Sequence, residues 1–329
     1  MLVFGDPQAH IFCQSQWLRG DTTVHRLGTL VKMVGYIPDS ISIHLVWAGA
    51  IHELDRLNAV LSDYDSLSEV NRVNAHAHQD TLILSPELTE ALTISDKIYK
   101  VSDAYFDPAL GHLTRLWRQG RKNNQRPDPA SVREAHRKSG WKHVYFDPKQ
   151  GRLFMREAVR LDLGGMGKGY IGEKLGTYFK HLGVKAYFID LGGDLVFGDA
   201  PPDATGWSLG TELPGISILT LTGQAVMGSG TTYQYIRQGH KTYSHLLNPR
   251  RGLGVTHQRK SLVIGVHGGE ADAWATALTI MSKKNLKRLQ PELLWAVFSS
   301  KKCIMSKYFY EYLQQHYLPW KPSIKLVII

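Results

Sequence analysis

The sequence predicts an α+β fold, one large domain of mixed sheets with packed helices. Three observations point to it. Candidate strands and helices are interleaved without the strict strand–helix–strand alternation of a doubly wound sheet. No linker-like shift in composition, low-complexity tract or short-period repeat divides the chain. Its 329 residues suffice for one large domain or two ordinary ones.

The elements follow in order. Ser40–Ala48 (SISIHLVWA) alternates apolar and polar residues and predicts a strand. Ala50–Ser62 sets Ile51, Leu54, Leu57, Val60 and Leu61 on one face of a helix. The polar connection SDYDSLSEVNRVN (62–74) is too long for a tight turn. A second amphipathic helix is expected over Glu87–Val101, through Leu88, Ala91, Leu92, Ile94, Ile98 and Val101. A proline-bearing loop (FDPALGHL) and a basic loop, Arg118–Lys142, come next. His143–Phe146 and Arg152–Met155, separated by DPKQG, read as a hairpin. Lys168–Leu182 is a third helix, and strands are expected at Ala186–Asp190, Leu195–Gly198, Ile216–Leu221, Thr242–Leu247 and Ser261–Val266. Ala271–Ser282 is the fourth helix.

Composition narrows the function classes. At 43% hydrophobic and 21% charged residues, the chain has the balance expected of a soluble globular protein. A formal charge of +10 favours anionic partners. The basic residues concentrate in Arg118–Lys142 and Lys283–Arg288, where a solvated loop and a solvated helix end are the plainer readings. Neither run interleaves aromatics with bases as single-strand nucleic-acid surfaces do, which argues against nucleic-acid binding. Cys13 and Cys303, far apart and without a CxxC, give neither a disulfide framework nor a zinc site. No segment has the apolar length of a transmembrane helix. The first residues lack a basic stretch followed by an apolar one, and Cys13 follows Phe12 where a lipoprotein cleavage site needs a small residue. As written, the sequence predicts a cytoplasmic protein, with a periplasmic or membrane-anchored one as the alternative if the true N-terminus is missing.

The densest polar and glycine cluster is LDLGGMGKGY (161–170), directly before the third helix. Such turns cradle anions, because bare backbone N–H groups and the helix N-terminus face the ligand. It is not a P-loop: Asp162 stands where the first glycine belongs, and Gly169 where Ser or Thr should follow Lys168. Its glycine spacing also fails the dinucleotide fingerprint. Asp272 and Thr276, spaced i, i+4, project from one helical face. A carboxylate and a hydroxyl beside a glycine-rich loop make a hard oxygen site of the kind Mg²⁺ takes. Each residue alone has a bland reading. Asp162 could cap a turn, Asp272 could complement a helix dipole, His245 could be a hydrogen-bonded strand histidine, and Tyr64 and Tyr105 could be packing.

Taken together, the clusters resemble the ApbE-type FAD:protein FMN transferases. The landmarks appear in that family's order from about Leu27 to Ser282. They are LGTLVKM (27–33), SDYDSLSEVNRVN (62–74), YFDPALGHLTRLW (105–117), LDLGGMGKGYIGEKL (161–175), YFIDLGGDLVFG (187–198), GW (206–207), AVMGSG (225–230), YSHLLNPRRG (243–252) and ADAWATALTIM (271–281). The resemblance implies an ApbE-like (T-fold-like) domain over 27–282, an N-terminal extension over 1–26, and a divergent C-terminal extension, 283–329, packed on the same domain. It implies that Asp162 and Lys168 contact FAD, that Gly165 offers a backbone carbonyl to Mg²⁺, and that Asp272 and Thr276 are the side-chain metal ligands. Leu27, Tyr64, Tyr105, Phe106, Asp107 and Leu246 fall where the family lines its flavin and adenine pockets. His245 matches the family's histidine and is assigned as general base, with Lys168 adding electrostatic stabilisation.

The chemistry implied is Mg²⁺-dependent. A Ser or Thr hydroxyl of a partner protein attacks the FMN-side phosphorus of FAD, and AMP leaves. The acceptor implied is a subunit of a membrane electron-transfer complex. Two other readings stay open: an FAD pyrophosphatase with water as acceptor, and a non-catalytic FAD-binding protein. Asn248 stands where the family usually has Asp, and an Asp there could orient the histidine.

Overall fold

The structure, a computed structural model, describes residues 17–288, 292–317 and 324–329. It opens on a hairpin, β1 (Trp17–Arg26) and β2 (Thr29–Pro38), paired antiparallel from Trp17–Pro38 to Arg26–Thr29. Leu27 and Gly28 form its turn with φ of 56° and 70°. Two positive φ values are what a two-residue turn needs to match strand twist, and a leucine there is unusual.

Helices α1 (Ile43–Leu61) and α2 (Glu69–His76), strand β3 (Leu82–Ile83) and helix α3 (Pro86–Val101) follow. Next come α4 (Gly111–Lys122), α5 (Pro129–Arg137), β4 (Val144–Asp147), β5 (Arg152–Met155) and α6 (Gly167–His181). The central stretch is mostly strand: β6 (Tyr187–Leu191), β7 (Leu195–Phe197), β8 (Trp207–Gly210), β9 (Ile218–Leu221), β10 (Ala225–Gly230), β11 (Tyr235–Gln238) and β12 (Lys241–Ser244). It continues with β13 (Leu247–Asn248), β14 (Leu253–Gly254), β15 (Lys260–Gly265), α7 (Gly268–Ile280) and α8 (Lys283–Arg288). The chain closes with β16 (Leu294–Ser299), β17 (Lys302–Met305), α9 (Lys307–His316) and β18 (Lys325–Ile328).

Nine strands form one sheet in the order β1-β2-β6-β7-β10-β15-β16-β17-β18, antiparallel except for the β17–β18 pair. Its two faces enter different cores. Val196, Met227, Val263, Trp295, Val297 and Ile304 point toward the helical layer, where α1, α3, α6 and α7 pack. Their neighbours Leu195, Phe197, Val226, Ile264, Ala296, Phe298, Cys303 and Met305 point to the other side, covered by the β8–β9 hairpin and α9. Burial on both faces explains why these strands read as apolar runs. A third, smaller core joins α4 and α5 to β11–β13 through Leu113, Trp117, Val132, Ile236, Tyr243 and Leu247. Residues 17–26 and the segment after 282 therefore supply strands to the main sheet. Cys303 is free and buried, and Cys13 lies outside the described residues.

Several expectations are corrected. The strand expected over Ser40–Ala48 is instead the start of α1 from Ile43. The helix buries Val46, Trp47, Ala50, Leu54, Leu57 and Leu61 and leaves Leu45 exposed, so packing of the helical face overrides the local alternation. The connection 62–74 holds the start of α2, which Ser68 caps by accepting the Asn71 N–H at 3.1 Å. The basic loop Arg118–Lys142 is largely helical: α4 runs to Lys122, and Asp128 caps α5 by accepting the N–H groups of Ala130 and Ser131, each at 2.9 Å. Thr242–Leu247 is not one strand. It breaks at His245–Leu246, between β12 and β13.

Candidate active site

The glycine loop 161–166 delivers the chain to the start of α6, which crosses α7 with almost no gap. A Cβ on Gly169 would lie 2.2 Å from the Gly268 carbonyl oxygen, and one on Gly268 would lie 2.3 Å from that of Gly169. Real Cβ atoms do not come that close to backbone, so the crossing depends on both glycines. This contact brings α7's polar face onto the loop. The Asp272 carboxylate accepts the Gly169 N–H at 3.0 Å, and the Thr276 hydroxyl donates to the Gly165 carbonyl at 3.3 Å. Asp272 is only 4% exposed. Burial, and then the neighbouring Asp194, push its carboxyl above the usual carboxylate range, against the pull of Lys168 and the Gly169 N–H.

Lys168, in the first turn of α6, forms an ion pair with Asp194, which is 2% exposed. Asp194 comes from the β6–β7 turn and also accepts the Gly228 N–H of β10 at 3.1 Å. Burial alone would lower the pKa of Lys168, but Asp194 and Asp272 more than offset it, so the ammonium stays charged.

His245 sits half-buried in the break between β12 and β13. Its backbone N–H donates to the Gln234 carbonyl at 2.9 Å, and its Nδ1 lies 3.2 Å from the same oxygen. A carbonyl only accepts, so Nδ1 carries the proton and Nε2 keeps its lone pair. Burial lowers its pKa, the Gln234 carbonyl opposes this, and Arg121 and Lys168 lower it further. The imidazole is therefore neutral near pH 7. Asn248 does not orient it. Its Oδ1 accepts the Arg250 N–H at 3.0 Å, closing the NPRRG turn.

The remaining residues expected in the site divide. The Asp162 carboxylate accepts the Gly164 N–H at 2.8 Å and faces Arg118 at 3.8 Å. Arg118 also pairs with Asp63 at 2.9 Å and lies 3.8 Å over the Tyr64 ring, joining Tyr64 to the loop. Its Nε is buried with no acceptor among the described residues. Phe106 is buried against Gly165, where an added Cβ would meet its ring at 3.3 Å. Leu27 lies beyond the end of β2, whose Val31 pairs with Leu191, so it shares one end of the sheet with the turn carrying Asp194. Leu246 is buried, and its N–H donates to the Ser244 hydroxyl at 3.2 Å. Tyr105 and Asp107 are committed elsewhere. The Tyr105 hydroxyl accepts from the Asn285 side chain beneath the Arg250 guanidinium. The Asp107 carboxylate accepts the N–H groups of Ala109 at 2.8 Å and Trp141 at 3.1 Å, and burial pushes its pKa up to about 6. It lines a separate cavity of about 450 Å³ with Tyr99, His136, Lys142 and Arg250.

Sequence reading missed Asp63, Arg118, Asp194 and Gln234. Asp194 lay inside a quoted landmark, and Arg118 headed a basic run read as solvated.

A hard cation fits this donor set. Among the described residues, no three His, Cys, Asp or Glu side chains gather in metal-holding geometry. The oxygens here come instead from one carboxylate, one hydroxyl and one carbonyl. These are hard oxygen donors of the kind Mg²⁺ would take, and the Thr276 hydroxyl and the Gly165 carbonyl already lie side by side.

The comparisons with known proteins agree with one another. A sequence model of the ApbE family matches residues 27–297, past Ser282 and into β16. The FAD:protein FMN transferase of Chlamydia trachomatis serovar D is 31% identical over 247 residues, covering 74% of this chain and 76% of its own. One from Klebsiella pneumoniae strain 342 is 28% identical over 239 residues, covering 68% and 73%. Among solved structures, the apo form of the flavinyl transferase ApbE of Pseudomonas stutzeri superposes with a TM-score of 0.81 at 24% identity, covering 90% of this chain and 97% of that one. The flavin transferase ApbE of Vibrio cholerae gives a TM-score of 0.80 at 18% identity, covering 90% and 99%. At these identities the structural likeness speaks to the fold.

Proposed function

The chain belongs to the ApbE family, and from that premise we propose that it transfers the FMN half of FAD to a hydroxyl group of an acceptor protein. One observation carries the reading furthest. The Gln234 carbonyl holds the proton of His245 on Nδ1 and leaves Nε2 basic. A neutral imidazole so oriented can take a proton from an incoming hydroxyl.

The reaction balances as follows. The acceptor's hydroxyl oxygen forms a bond to the FMN-side phosphorus, and its proton passes to His245 Nε2. The bond from that phosphorus to the bridging oxygen breaks, and AMP leaves with the oxygen and the electron pair. Lys168, kept charged beside Asp194, stabilises the negative charge spread over the phosphoryl oxygens. The Gly165 carbonyl, Asp272 and Thr276 would hold Mg²⁺, which supplies further charge stabilisation at phosphate when bound. Asp162, Leu27, Tyr64, Phe106 and Leu246 surround the nucleotide, with Tyr105 and Asp107 shaping the loop behind Phe106. The acceptor is a subunit of a membrane electron-transfer complex, a reading supported by the family resemblance. No helix among the described residues is long and apolar enough to cross a membrane.

The test is product analysis of FAD incubated with the protein, Mg²⁺ and an acceptor domain. AMP should appear in step with FAD loss and stop when EDTA is added. AMP without change in the acceptor would favour hydrolysis, and FAD binding without AMP would favour a binding protein.

A further inference from the structure

Tyr64 is 76% exposed, yet its ring is held. The Arg118 guanidinium carbon lies 3.8 Å from the ring centroid, pinned by Asp63 at 2.9 Å and facing Asp162 at 3.8 Å. The side chains behind the ring are largely out of solvent: Arg118 is 21% exposed and Asp63 only 7%. Among the described residues, other exposed tyrosines have no cation so close to the ring face, and Arg156 and Lys260 instead donate to the hydroxyls of Tyr145 and Tyr233. Lys260 stands 5.1 Å from the Tyr233 ring, Arg156 5.3 Å from Tyr145, and Arg237 5.9 Å from Tyr235. Three separate segments build the Tyr64 arrangement: the turn after α1, the second half of α4, and the glycine loop.

An exposed tyrosine ordinarily samples several rotamers, and fixing one on binding weakens affinity about three- to tenfold. A planar guanidinium can lie flat on a ring while its edge serves carboxylates, which an ammonium cannot do. We infer that Arg118, set in place by Asp63, is a positioning residue that holds the Tyr64 ring as a preformed platform, with one face covered and the other open to the flavin ring. This rests on the FAD-dependent reading above. It says that Arg118 acts on the ring-bearing half of the ligand and not on its phosphates.

The test is titration of the full chain with FAD, FMN and ADP, by flavin fluorescence quenching and calorimetry. Arg118→Gln should weaken FAD and FMN about three- to tenfold with reduced quenching, and leave ADP within about twofold. Arg118→Lys should not restore the loss. Because Arg118→Gln leaves Asp63 buried without its cation, the double variant Arg118→Gln/Asp63→Asn is measured alongside and should show the same weakening. Equal weakening of ADP, full recovery with Arg118→Lys, or unchanged FAD affinity in both the single and the double variant would each overturn the inference. If the wild-type chain binds no FAD, the functional reading itself fails, which is a distinct result.

Discussion

At the α6–α7 crossing two backbones touch, and at the Tyr64 rim an exposed ring leans on a charged side chain. Both places are held by close contacts, of opposite kinds. The crossing is set by the absence of side chains at Gly169 and Gly268, so the positions of Asp272 and Thr276 follow from steric exclusion. The rim is set by electrostatic pairing among Asp63, Arg118 and Asp162, with open solvent a few ångströms away. The first should fail when volume is added, and the second when charge is removed. His245 belongs to neither region: the Gln234 carbonyl holds its Nδ1 at 3.2 Å, with the Ser244 hydroxyl at 3.5 Å.

The largest effect is expected from adding one methyl group at the crossing. Gly169→Ala must push α7 away, because the obstructing atom is backbone. It should destabilise the fold by about 3 kcal/mol, measurable as a lower melting temperature, and abolish activity. If activity survives, the crossing does not set the positions of Asp272 and Thr276. His245→Ala comes next: the rate should fall about 10²- to 10⁴-fold with the melting temperature unchanged. In the wild type, the rate should rise with pH as the imidazole loses its proton. Its apparent pKa should lie below the ordinary 6.5, because burial, Arg121 and Lys168 disfavour the charged form, and the rate should be level by neutral pH. A profile still climbing above pH 7 would contradict that environment.

Asp194→Asn keeps the shape and an acceptor for the Gly228 N–H, but frees Lys168 from its ion pair. The rate should fall about ten- to a hundredfold, with FAD affinity changed less than the rate. The smallest effect is expected from Asn248→Asp. An aspartate can accept the Arg250 N–H as the asparagine does, so stability should move by less than about 0.5 kcal/mol and the rate should not change. A large gain in rate would mean that this position acts on His245 after all.

Legibility from sequence followed the same physical divide. Helices with a full apolar face, such as α3 and α6, stood out from spacing alone. The β1 strand did not, because it pairs with one neighbour and exposes most of its residues. Helices α4 and α5 bury few residues, chiefly Leu113, Trp117 and Val132, within strongly basic surroundings, and so resembled a loop. In the site, Asp272 and Thr276 were legible as a pair because i, i+4 spacing fixes a common face. Their partners Gly169 and Gly165 lie more than a hundred residues away, and only the glycine pattern hinted at them. Arg118 was illegible for a different reason. Charge in a basic run reads as solvated unless its buried acids, Asp63 and Asp162, are known to lie opposite.

The most direct test of transfer by a histidine base is the intact mass of an acceptor domain after incubation with FAD and Mg²⁺, with wild-type protein and with His245→Ala. The expected result is a gain of one FMN per acceptor with the wild type and almost none with the variant over the same time. An unchanged acceptor mass while AMP accumulates would contradict transfer, and equal gains with both proteins would contradict the role of His245.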